Sequence, residues 1–113
     1  MIEAVIYHNK NKQPCGYRIL GHAGFAKKGE DIVCSAVSIL AINTINAIEV
    51  LANTPFYCNA KEEEGGYLEV VVTDLKQCKQ VHDAELLLKT MVLGLESIAE
   101  QYKKYIRLTY KEV

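Results

Sequence analysis

The sequence predicts a two-layer α+β domain in which a mostly antiparallel mixed sheet carries two helices on one face. Three observations carry that expectation. Short β-rich runs come in pairs separated by turn residues, which marks hairpins. Two long apolar segments interrupt those pairs and have helical spacing. The resulting order is ββαββαβ, in which hairpins outnumber crossovers. At 113 residues, the chain reads as a single domain over 1–113, large enough to bury one core.

The elements follow in order. Ile2 to His8 is rich in β-forming residues and reads as a strand, edge or central. Asn9 to Pro14 is polar, ends in proline and reads as a turn. Tyr17 to His22 completes a first hairpin. A glycine-flanked polar loop follows, from Ala23 to Glu30. Asp31 suits a helix N-cap, and the run from Ile32 to about Ala52 reads as one helix, apolar nearly all round. Asn53-Thr54-Pro55 ends it, because proline disfavours helix in the residue before it.

Phe56 to Lys61 and Tyr67 to Thr73 form a second hairpin around Gly65 and Gly66. A second helix is expected from about Lys76 to Lys104, with Ala84, Leu87, Leu88, Met91, Leu95, Ile98 and Tyr102 on one stripe. Gly94 interrupts it at a cost of roughly 1 kcal/mol against alanine, and close approach of another helix would account for that. Tyr105 to Tyr110 alternates as a closing strand.

Composition narrows the function. The net charge is -1, with acids and bases mixed along the chain, so composition predicts no direct nucleic-acid binding. No segment has the order of a secretory leader. The longest apolar stretch, Ile32 to Ile48, carries polar residues and is shorter than the ~20 apolar residues of a membrane span. A cytoplasmic protein without a membrane partner is expected. Cysteines 15, 34, 58 and 78 form no C-x-x-C pair, so neither a metal centre nor a cofactor is expected. Each cysteine is by default a small buried hydrophobe.

Cys34 departs from that default. With Asp31 as N-cap it is the third helical residue, where unpaired N–H groups favour negative charge. A thiolate there is stabilised, so its pKa should fall below the free value of about 8.5. The same N–H groups suit the oxyanion of an acyl transfer. His22 sits between Gly21 and Gly24 at the end of the second strand. An imidazole brought to the thiol would take its proton and return one to a leaving amine. A plainer reading is also open: a buried thiol, and a strand-end histidine bonded to a neighbouring carbonyl. Asp31 would orient His22 or only cap the helix, and Ser38 lies one turn beyond Cys34 on the same face. His8 and His82 have no comparable surroundings.

Gly21-His22-Ala23-Gly24, then Asp31-Ile32-Val33-Cys34-Ser35-Ala36-Val37-Ser38, resembles the ribosomal-processing cysteine protease family called Prp. The likeness extends through Asn46-Ala47, the glycine pair at Gly65 and Gly66, and Tyr102 to Leu108. It implies an endopeptidase that removes a short N-terminal extension, ending in two phenylalanines, from large-subunit ribosomal protein twenty-seven. It implies His22 and Cys34 as the catalytic pair and Asp31 and Ser38 as supporting residues. It also implies a homodimer, which agrees with a helix too apolar for one sheet to cover. Gly21, Gly24 and Phe25 are expected to contact an extended peptide substrate. The competing reading is a non-catalytic module of ribosome assembly that binds RNA or protein.

Overall fold

A computed structural model describes residues 1–21, 30–61, 66–72 and 81–113, without the side chains of residues 30, 31 and 81. The elements are β1 (Ile2–His8), β2 (Pro14–Leu20), α1 (Glu30–Val50), β3 (Phe56–Lys61), β4 (Tyr67–Val72), α2 (Val81–Gln101) and β5 (Ile106–Glu112). The expected order ββαββαβ is the observed one.

The five strands form one sheet in the order β3-β4-β2-β1-β5. β1 pairs with β2 and β4 with β3 as antiparallel hairpins, and β2 pairs antiparallel with β4. β5 lies parallel to β1, because the chain reaches it through a helical crossover rather than a turn. The mixed, mostly antiparallel sheet follows from those connections, and β1 is central rather than an edge.

Alternation assigns the faces. Ile2, Ala4 and Ile6 of β1 pair with Ile19 and Tyr17 of β2 and with Ile106 of β5, and all are buried. Leu68, Val70 and Val72 of β4 join them. Both helices pack on this face. α1 contributes Val33, Val37, Ala41 and Ile48, and α2 contributes Leu88, Met91 and Leu95. With buried Thr44 between Ala41 and Ile48, these positions recur every three or four residues, so one stripe of each helix enters the core. The opposite face of the sheet is uncovered by either helix.

Gly94 stands where α2 meets α1. A Cβ added there would lie 2.7 Å from Cδ2 of Leu40, so the expected close approach of a helix is present. Gly16 is required more strictly. A Cβ there would lie 2.3 Å from the carbonyl oxygen of Val70 on β4, a backbone atom that cannot turn aside.

Several boundaries differ from expectation. β2 begins at Pro14 rather than Tyr17, because a proline can open a strand at no cost to its interior ladder. It ends at Leu20, short of His22, because Gly21 turns the chain at φ 85°. α1 begins at Glu30, so Asp31 lies inside the first turn rather than at the cap. Glutamate is the better helix former of the two, and both carboxylates suit the positive N-terminal end. α1 ends at Val50, and Asn53 takes φ 48°. α2 ends at Gln101, where Tyr102 N–H still donates to Ile98 O before Tyr105 N–H turns back to Tyr102 O. The expected residues 76–80 of α2 and the tip of the second hairpin, 62–65, lie outside the described residues.

Candidate active site

The site is built from the end of β2 and the start of α1. Gly21 follows Leu20 with a positive φ, and its N–H donates to Gly66 O at 2.9 Å. Gly66 also has positive φ, at 99°. Two glycines of different hairpins thus clasp each other at the ends of the neighbouring interior strands β2 and β4 and fix the direction in which the carbonyl of Gly21 points. A Cβ on Gly21 would lie 3.2 Å from the carbonyl oxygen of Met1, so both conformation and space hold this position to glycine.

That carbonyl meets Cys34. The Cys34 thiol lies 3.8 Å from Gly21 O as a donor. Cys34 is half-buried and packs against the core at the first turns of α1. Because α1 starts at Glu30, Cys34 is the fifth helical residue and not the third. Helical side chains lean toward the N-terminus, so the sulfur still overlies the first turn, whose N–H groups have no intrahelical partner. Ser38 is half-buried one turn further on. Cys15, Cys34 and Cys58 are not disulfide-bonded in this structure.

α1 is held in place from below. Tyr17 is fully buried, and its hydroxyl donates to Ala41 O at 2.7 Å. Ala41 lies seven residues, two turns, beyond Cys34 on nearly the same face. The phenol therefore pins the helix to β2, the strand that also delivers Gly21. Burial under α1 pushes the Tyr17 pKa well above its ordinary value of 10.0. Strand alternation signals that Tyr17 points inward, but nothing local in sequence indicates its partner 24 residues away.

The other candidates separate clearly. Cys15 is buried, and desolvation raises its pKa. Cys58 is exposed on the edge strand β3. His8 Nδ1 bonds Asn9 O at 2.9 Å at the opposite end of β1 from Gly21. His82 is exposed in the first turn of α2. Among the described residues, no group of His, Cys, Asp and Glu could hold a metal ion. An apolar groove of about 630 Å³ lies between α2 and the far ends of β1 and β5, bordered by Ile6, His8, Val92, Leu93 and Tyr110. It holds no thiol and is remote from Cys34. His22, Gly24, Phe25 and Cys78 lie outside the described residues, as does the side chain of Asp31.

A thiol at a helix start, facing the end of a strand, is an arrangement suited to nucleophilic chemistry. Comparison with known proteins defines it further. Residues 1–107 match the sequence pattern of a peptidase family whose nucleophile is cysteine, so the protein is a cysteine protease. That family is described as Cysteine protease Prp, and the chain belongs to it. It is 32% identical over 109 residues to the ribosomal processing cysteine protease Prp of Bacillus subtilis, covering 96% of both chains. Its fold is similar to that of SMU.848 from Streptococcus mutans, with TM-score 0.86 and 30% identity over 100% of this chain and 99% of that one. The S. aureus ribosomal processing protease Prp, solved with a substrate peptide, aligns with TM-score 0.79 and 29% identity over 98% of this chain and 100% of that one.

Proposed function

We propose that the protein is an endopeptidase that removes the short N-terminal extension of large-subunit ribosomal protein twenty-seven, with Cys34 as nucleophile and His22 as base. The observation that carries this is the contact between Cys34 Sγ and Gly21 O, since Gly21 is joined directly to His22 in the chain. The peptide that leads into the base is therefore already beside the thiol.

In this mechanism His22 takes the thiol proton, and the Cys34 sulfur attacks the scissile carbonyl carbon. The carbonyl oxygen becomes an oxyanion, for which the unpaired N–H groups of the first turn of α1 are donors. Collapse breaks the C–N bond, and His22 gives its proton to the departing amine. Water then cleaves the thioester and restores the thiol. Asp31 and Ser38 support the pair, and Gly21, Gly24 and Phe25 contact the peptide. No cofactor enters the reaction, and it takes place in the cytoplasm.

We also assign the exposed side of α1 to a homodimer. Ile32, Ile39, Ile42 and Val50 are exposed there, and a second copy related by a two-fold axis would cover them. Sedimentation should return a mass of twice 12.7 kDa, and a mass of 12.7 kDa would refute the assignment.

The deciding experiment is cleavage of a peptide that spans the extension and its junction. Wild type should cut it, while Cys34→Ala and His22→Ala should not. Undiminished cutting by Cys34→Ala would refute the mechanism. Binding without cutting by every form would favour the non-catalytic alternative.

A further inference from the structure

The uncovered face of the sheet has an ordered composition. Strand register lays its side chains in three rows across all five strands. The first is Tyr57–Val71–Gly16–Tyr7–Lys111, the second Asn59–Glu69–Arg18–Val5–Thr109, and the third Lys61–Tyr67–Leu20–Glu3–Arg107. Lys61, Arg18, Arg107 and Lys111 supply four positive charges against Glu3 and Glu69, a net +2. Glu69 accepts a hydrogen bond from Tyr7 at 2.5 Å and faces Arg18 in register. Two tyrosines lie among the bases: Tyr57 is 49% exposed on β3, and half-buried Tyr67 has Lys61 Nζ 6.0 Å from its ring centre.

The helix layer has the opposite character. Among the side chains described, α1 carries Glu49 with no base, and α2 carries Asp83, Glu85, Glu96 and Glu100 against Lys89 alone. That is one acid, then four acids less one base, a net −4. The chain total of -1 thus conceals a difference in charge between the two layers among the described residues. A polyanion is repelled by the helices and drawn to the sheet.

We propose that the open face of the sheet is a docking surface for single-stranded RNA. Bases spread across the face meet phosphates, and tyrosine rings beside them stack on nucleobases. The four bases extend from edge to edge, about 19 Å at the usual strand spacing, which suits an extended strand rather than one isolated anion. RNA is favoured over an acidic protein because the relatives are ribosomal processing enzymes and a ribosomal particle presents RNA around its proteins. This last point rests on the ribosomal reading above. Docking through the sheet leaves α1 and Cys34, on the other layer, turned toward the protein substrate.

The test is fluorescence anisotropy of a labelled twelve-nucleotide poly(U) RNA with the full-length Cys34→Ala protein, so binding is read without cleavage. Affinity should fall with salt at a log–log slope of about −2 to −3, as about four phosphate contacts on a single strand require. Arg107→Glu combined with Lys111→Glu should weaken binding more than tenfold while leaving peptide cleavage by the otherwise wild-type enzyme unchanged. Tyr57→Ala should weaken it about tenfold through lost stacking. Glu96→Lys combined with Glu100→Lys, on α2, should not weaken it. Circular dichroism checks that each variant folds, and Lys61→Gln replaces the double reversal if that variant does not. Absence of binding at 50 mM salt, wild-type binding by the sheet variants, or equal competition by poly-glutamate would overturn the proposal. None of these results bears on whether the peptide is cut.

Discussion

The two helices are equal in length, at 21 residues each, and sit on the same face of the same sheet, yet they are built differently. α2 is amphipathic in the ordinary way, with Ala84, Leu88, Met91 and Leu95 buried in one stripe and charges opposite. α1 buries Val33, Val37, Ala41 and Ile48 but leaves Ile39 69% exposed and Val50 75% exposed on its outer side. It also carries the Cys34 thiol beside Gly21 O and receives the Tyr17 hydroxyl. The difference teaches that α2 closes the core with one stripe, while α1 adds to its own stripe the Cys34 thiol near its start and four exposed large apolar side chains, against two on α2.

Substitutions can break this division of labour. The largest effect belongs to Cys34→Ala. Peptide cleavage should fall by at least about a thousandfold, with a urea midpoint close to wild type because the thiol is only half-buried. If stability fell as far as activity, α1 would be a packing element like α2. Next is Leu95→Ala on α2, which should cost about 2–5 kcal/mol in urea unfolding. The folded fraction should keep its cleavage rate, and a selective loss of kcat would assign α2 a part in catalysis.

Ile39→Glu on α1 should shift the sedimenting species from dimer to protomer, whereas Leu93→Glu, at an equally exposed apolar site on α2, should leave it unchanged. The reverse pattern would move the interface to α2. The smallest effect is that of Tyr17→Phe, about 1 kcal/mol for a buried hydrogen bond, read by urea unfolding at pH 7. The same variant bears on pH. The folded Tyr17 pKa lies above its unfolded value of 10.0 because burial disfavours the phenolate. The unfolded chain therefore releases this proton first, and stability present below pH 10 is lost as pH rises beyond it. Tyr17→Phe should lose less stability than wild type between pH 9 and 11. Tyr7, raised to about 12 by burial and by the carboxylate of Glu69, keeps its own contribution in both proteins.

A further comparison sharpens the thiols. Iodoacetamide below pH 8 should label Cys34 ahead of Cys15, whose buried thiol is shifted upward, and ahead of exposed Cys58. Equal labelling would show that the start of α1 does nothing for the sulfur.

Element identity and order were legible because alternation at period two and spacing at three to four residues are local patterns. β1 and β3 have the expected limits, and Gly94 meets a helix for the expected reason. Helix and strand ends were less legible. The first turn of α1 admits both acids, so the cap inferred at Asp31 is inside the helix. Gly21 could be recognised as a turn residue, but its clasp with Gly66 depends on two hairpins aligned by β2–β4 pairing.

Residue chemistry made Cys34 a candidate, the resemblance to a known family paired it in expectation with His22, and local patterning anticipated the ββαββαβ layer. These depend on residues close together in the chain. Tertiary structure decided what depends on distant segments meeting: the carbonyl of Gly21 placed beside the Cys34 thiol, and the Tyr17 hydroxyl under Ala41. It also decided the sorting of a nearly neutral composition into an acidic helix layer and a basic sheet face. A charge count averages over the whole surface, whereas register and layering determine which charges share a side.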